Sequence, residues 1–248
     1  MHKSISLFRL LILSLAGLLA LTVLSSCGGG GGGGGGSTTD PETVFQLYPP
    51  DWGVNGYTEN YNVTGTLKLN SEIKGGQGTY ELKIGDLALP DAGVDTYSVS
   101  ASIQFGFPFG QIISSGVIWY NSSNDAPLYI QVSAWGSTII ATQTKTGTPF
   151  DISILPAVAQ VGDSGTLTSW NFSNGTNQFS NWSLEPSTAG HALLITESAT
   201  YEGAIPILTT SVYQEEKINE LGERLSIYHE VVDYEINLTI TIKGKRTI

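Results

Sequence analysis

Tyr97-Ser98-Val99-Ser100-Ala101-Ser102-Ile103-Gln104-Phe105 puts an apolar side chain at every odd position and a polar one at every even position. Successive side chains of a β-strand point to opposite faces, so this stretch has one buried face and one wet face. A helix, with neighbours three and four residues apart, would scatter the same apolar set around its circumference. Ile236-Asn237-Leu238-Thr239-Ile240-Thr241-Ile242-Lys243 alternates in the same way, and Tyr80 to Ile84 and Ile130 to Ala134 are shorter examples. One-sided burial is the habit of antiparallel sheets, whereas parallel strands read as continuous apolar runs.

Working outward, turn formers separate these runs. Gly75-Gly76-Gln77-Gly78, Asn121 to Asp125, Gly162-Asp163-Ser164-Gly165 and Asn174-Gly175 are read as turns. Trp135-Gly136-Ser137 is read as a tight hairpin, and Glu220-Leu221-Gly222-Glu223 as another. Gln214 to Arg224 holds good helix formers, but Gly222 interrupts it and Ile218 and Leu221 are too few for an apolar stripe. It is read as a polar hairpin tip. The expectation is an all-β antiparallel domain over residues 44–248, a sandwich or a partly closed barrel of ten or more short strands. Pro149 and Pro156 flank Phe150 to Leu155 and mark a candidate seam at 147–156, with two domains of about 100 residues as the alternative.

Composition agrees with this reading. Of the 248 residues 40% are hydrophobic and 13% charged, which is too apolar for a disordered chain and too poor in Glu and Lys for a coiled coil. The formal charge is -11. Such a surface repels phosphate backbones and offers no basic patch to anionic headgroups, so no nucleic-acid partner is expected.

The N-terminus reads as an address. Lys3 and Arg9 precede the apolar run Leu10 to Leu24. Fifteen residues at about 1.5 Å each reach only ~22 Å, short of a ~30 Å hydrocarbon core. A basic start, a short apolar stretch and small residues make a secretory signal. Leu24-Ser25-Ser26-Cys27 resembles the lipobox of bacterial lipoproteins, and Cys27 is the single cysteine of the chain. The resemblance implies a signal peptide over 1–26, cleavage before Cys27, and acyl chains on Cys27 that hold the protein to a membrane. With Gly28 rather than Asp after the Cys, it implies the outer membrane of the cell envelope. Removal of the signal leaves nine basic and 22 acidic residues, a formal balance of -13.

Residues 27–43 are read as a tether. Gly28 to Gly36 is nine consecutive glycines, with no side chain to bury and maximal backbone freedom. Phosphate binding by a Gly-rich loop needs a flanking strand and helix, which are missing here. About 205 residues remain from Val44, enough to bury a core without a disulfide.

Chemistry is sparse in the folded part. His191, after Thr188-Ala189-Gly190, is read as a loop residue, and His229 as a strand residue. Neither has the spacing of a metal site, and no nucleophile elbow is present, so no catalytic, metal-binding or cofactor-binding residue is assigned. Glu215, Glu216, Glu220 and Glu223 are read as a solvated charged tip. Among five tryptophans, Trp170 and Trp182 flank the Asn- and Ser-rich stretch 171–181, read as a surface loop. They are the candidate ligand surface. The expectation is a non-enzymatic binding or structural domain. The alternatives are a glycan-binding module or polysaccharide-active enzyme, and a periplasmic lipid-handling half-barrel.

Overall fold

The structure is a computed structural model, described here for residues 42–49, 56–85, 96–107, 110–121, 127–134, 137–142, 155–171, 176–202 and 206–247. The signal segment, Cys27, the poly-Gly tether and most of the candidate seam lie outside these residues.

All regular structure described is β. The strands in chain order are β1 (Val44–Gln46), β2 (Thr58–Leu69), β3 (Glu72–Gly85), β4 (Thr96–Phe107), β5 (Gly110–Asn121), β6 (Pro127–Ala134) and β7 (Ser137–Thr142). They continue as β8 (Val158–Gln160), β9 (Ser164–Asn171), β10 (Thr176–Pro186), β11 (His191–Glu202), β12 (Ile207–Asn219), β13 (Arg224–Asp233) and β14 (Leu238–Thr247). The all-β antiparallel expectation is met, but the strands are longer than turn spacing suggests, with β3 reaching 14 residues.

The topology is two successive meanders. β2 to β7 and β9 to β14 each zigzag, and the ladder between β14 and β2 joins them into one sheet of 12 strands, β7-β6-β5-β4-β3-β2-β14-β13-β12-β11-β10-β9. Among the described residues the edges of that sheet, β7 and β9, are not paired with each other. Pairing them would complete an up-and-down barrel, so the sheet is the open form of one. The candidate seam falls between the two meanders.

Period-two alternation sets the buried face. Tyr61 and Val63 on β2, Tyr80, Leu82 and Ile84 on β3, and Val99, Ala101, Ile103 and Phe105 on β4 are all buried. Ile240 and Ile242 of β14 continue the same face. The Gly75–Gly78 segment is a correction to the turn reading: it lies inside β3, and the chain reverses at Asn70, whose φ is 54°. A Cβ on Gly78 would drive into the Gln104 carbonyl, and one on Gly76 into the Phe105 ring. These glycines therefore allow close approach between strands and do not mark a reversal.

A two-stranded sheet of β1 and β8 covers one end. Phe45 and Leu47 are fully buried there, with Leu155 and Ala159. Gln46 N donates to the Glu220 carbonyl and Leu47 N to the Ala157 carbonyl, each at 3.0 Å. Gly222 at the β12–β13 reversal has φ +77°, and a Cβ there would come within 2.5 Å of the Tyr48 carbonyl. Only glycine fits both the backbone and the space.

Candidate functional site

The buried face is not uniform. Its β2–β4 and β14 wall is apolar except for Glu59, whereas the β10–β13 wall buries Gln178, Ser180, Thr196, Ser198, Thr210 and Gln214 among apolar residues such as Leu184, Leu194, Val212 and Val231. Ser180 and Ser198 face each other across β10 and β11 and share a short hydrogen bond. The two walls meet at β13 and β14, where His229 lies opposite Ile242 on one side and opposite Gln214 on the other.

His229 is 1% exposed, and neither ring nitrogen has a hydrogen-bond partner among the described residues. Its ring meets that of Tyr80 edge-on at 5.6 Å. Tyr80 stands on β3, three strands from β13, a distance of roughly 14 Å at ordinary strand spacing. The two side chains therefore converge over the intervening strands. Burial pushes the His229 pKa down from 6.5 to about 3, so the imidazole is neutral at pH 7. Gln214 Oε1 and Asp233 Oδ2, on the same buried face, also have no partner among the described residues. Burial raises the Asp233 pKa, opposed by hydrogen bonds from the backbone N–H groups of Ile236 and Glu235.

Towards the covered end the polar groups are paired. Arg224 Nε donates to Glu216 Oε2 at 2.6 Å, and Arg224 Nη1 lies 4.0 Å from Glu59 Oε1. Gln214 Nε2 donates to Glu216 Oε1 at 3.0 Å. Tyr57 and Tyr61 hydroxyls donate to the two oxygens of Glu59 at 2.5 and 2.8 Å. Burial, then the Glu59 charge, raises the Tyr61 pKa. For Arg224 burial alone would lower the pKa, but Glu216 and Glu59 outweigh it and hold the guanidinium cationic.

A β-bulge aims Arg224 inward. Lys217 pairs with Ser226 but Ile218 pairs with Arg224, so β13 carries one extra residue. Without it Leu225 would take the inward position and Arg224 would face solvent.

Three sequence readings change here. Glu215 and Glu216 belong to β12, not to a solvated tip, and Glu216 is buried. The tip is Asn219 to Glu223, where the Asn219 side chain accepts from Leu221 N and Glu223 N. The Asn- and Ser-rich stretch before Trp182 is largely strand β10, and Trp182 is 7% exposed, facing inward opposite Thr196. It is therefore no exposed platform. A bulge between β9 and β10 sets the backbone of Trp170 opposite that of Gln178, and the two tryptophans lie in different strands. His191 opens β11 and contacts the Ala189 carbonyl at 3.0 Å. His229 lies in β13 as read.

Sequence reasoning missed Glu59, Gln214, Glu216, Arg224 and Asp233. The signal for most of them was parity: each polar residue sits where an alternating strand expects an apolar one. Among the described residues no three His, Cys, Asp or Glu side chains gather as metal ligands.

No family model and no curated protein matches the chain. Two solved structures are similar to it. A DUF1329 family protein from Desulfovibrio piger shares 11% identity over 78% of this chain and 85% of its own, with a TM-score of 0.32. A putative outer membrane lipoprotein-sorting protein domain from Vibrio parahaemolyticus shares 8% over 75% and 83%, with a TM-score of 0.23.

Proposed function

We propose that this chain is a lipid-anchored protein of the bacterial cell envelope whose domain binds an amphiphile on the inner face of the open sheet, without catalysis. One observation carries the reading. Polar atoms of His229, Gln214 and Asp233 are sealed from solvent without a partner among the described residues, beside a wall of Tyr61, Val63, Ile103 and Phe105. Leaving such atoms unpaired costs about 1–3 kcal/mol each. A ligand with an apolar tail and a hydrogen-bonding head repays that cost, its tail on the β2–β4 wall and its head at the neutral His229 and Gln214.

The anchor rests on Leu24-Ser25-Ser26-Cys27. Cys27→Ser is expected to abolish labelling with radioactive palmitate and to release the protein from the membrane fraction. Continued labelling would show that Cys27 is not the acylated residue.

The unacylated Cys27→Ser protein also tests the ligand, because it brings no acyl chain of its own. Monopalmitoylglycerol, whose hydroxyl head donates to Gln214 Oε1 as well as accepting from His229, should at a hundred times its dissociation constant stabilise it by about 2.7 kcal/mol, a rise of roughly 5–11 °C in melting temperature for a domain of this size. A Gln214→Leu/His229→Leu protein should lose most of that shift. An absent shift, or one that survives both substitutions, removes the amphiphile reading.

A further inference from the structure

The outer face of the same sheet carries a groove that the inner site does not use. It has a volume of about 730 Å³ and lies across β12, β13, β14 and β2. Sheet register explains its lining. Glu215, Tyr228, Lys243 and Thr64 stand opposite one another in a single transverse row. Ser226, Lys245 and Asn62 form the next row towards the covered end. The first row spans roughly 14 Å, three strand spacings.

Its charge is opposite in sign to the rest of the molecule. The chain carries -11, yet the groove is lined by two lysines and one glutamate. Among the described residues neither Lys243 nor Lys245 has a carboxylate within ion-pair distance; the two pairs formed there both belong to Arg224. Lys243 Nζ instead lies 5.2 Å from the centre of the Tyr228 ring. That ring is pinned, since its hydroxyl donates to Glu230 at 3.0 Å and the Tyr213 ring meets it at 5.9 Å. Glu215 is engaged by the Tyr213 hydroxyl at 3.1 Å.

Here, then, are two ammonium groups without an ion-pair partner among the described residues, a fixed half-exposed aromatic ring, and a margin of hydroxyl and amide groups from Ser226, Thr64 and Asn62. We infer that this groove binds an acidic glycan chain, one that bears carboxylates along a polyhydroxylated backbone. The carboxylates meet Lys243 and Lys245. The hydroxyls meet Asn62, Thr64 and Ser226, and a sugar CH face meets Tyr228. A nucleic acid of much higher charge density is repelled by the remaining surface. Anionic lipid headgroups share the carboxylate or phosphate chemistry but not the hydroxyl-rich chain.

The test is affinity electrophoresis of the full-length protein in gels containing polygalacturonate, with dextran gels as the neutral control. Polygalacturonate is expected to retard the protein at low salt, less so at 0.5 M salt because exposed charges are screened there, and dextran is not. Lys243→Gln/Lys245→Gln should weaken the polygalacturonate interaction at least tenfold with a nearly unchanged melting temperature, as exposed lysines outside any ion pair carry little stability. Tyr228→Ala should weaken it by a smaller factor. The inference is overturned if polygalacturonate does not retard the protein, if dextran retards it equally, or if the double variant behaves as the parent. Binding to phosphatidylglycerol vesicles without retardation by polygalacturonate overturns it as well and identifies a headgroup site. These lysines point away from the inner face, so monopalmitoylglycerol-induced stabilisation and polygalacturonate retardation succeed or fail independently.

Discussion

Arg224→Met is expected to be the most damaging single change in the described part of the chain. The guanidinium is 3% exposed and stands between Glu216 and Glu59, which are 6% and 1% exposed. Removing one partner of a buried ion pair costs about 3–5 kcal/mol, because the charge left behind has neither water nor a counter-charge. Here two carboxyl groups are left behind. At about 2–4 °C per kcal/mol for a domain of this size, the melting temperature should fall by roughly 6–20 °C. An exposed pair would give less than about 1 kcal/mol, so the size of the loss distinguishes the two settings.

The network also joins elements that are distant in the chain. Glu59 is near the start of β2, Glu216 in β12 and Arg224 at the start of β13, with β14 between β13 and β2 in the sheet. It therefore ties the first meander to the second beside their one shared ladder. Glu59→Gln/Glu216→Gln/Arg224→Met removes all three charges and should recover most of the lost stability, since a neutralised buried cluster often costs little. Urea midpoints of the two proteins measure this directly. If Arg224→Met melts within 2 °C of the parent, the cluster is solvated and the argument fails.

Much of the fold was legible because alternation is a local property. Tyr97 to Phe105 is strand β4 with its odd residues buried wherever their side chains are described, as the sequence pattern requires. Gly75 to Gly78 misled because glycine serves two ends: it turns chains, and it lets another strand approach closely. Which applies depends on Phe105 and Gln104, nearly 30 residues away. Glu216 misled for a similar reason. Beside Glu215 and Glu220 it reads as one more solvated acid, and its partner Arg224 reaches it through a bulge, which shifts parity by one residue. Trp182 was judged by its polar neighbours. In β10 those neighbours are inverted, with Phe179 52% exposed while Gln178, Ser180 and Trp182 face inward. A polar buried wall defeats any reading that equates polar with wet, and that wall is where the candidate site lies.

The same wall predicts an acid response. The His229 pKa falls from 6.5 to about 3 on folding, with burial as the cause. Between those values the unfolded chain binds a proton that the folded chain refuses, so stability rises with pH across that window. The His229 contribution is complete above pH 6.5 and is lost progressively as pH falls towards 3. At about 1.4 kcal/mol per pH unit, descent from pH 7 to pH 4.5 should remove roughly 2–3 kcal/mol through this group alone. Asp233 acts with the opposite sign, since its folded pKa is raised and protonation favours the folded state. Total stability therefore mixes the two, and the informative quantity is a difference. His229→Leu should unfold at higher urea than the parent at pH 7, because an unpaired buried imidazole is replaced by an apolar group. Its advantage should then widen by about 2–3 kcal/mol at pH 4.5. Urea titrations of both proteins at the two pH values supply the comparison. If the gap stays constant with pH, His229 titrates alike in the folded and unfolded chain, and its sealed, unpartnered setting is wrong.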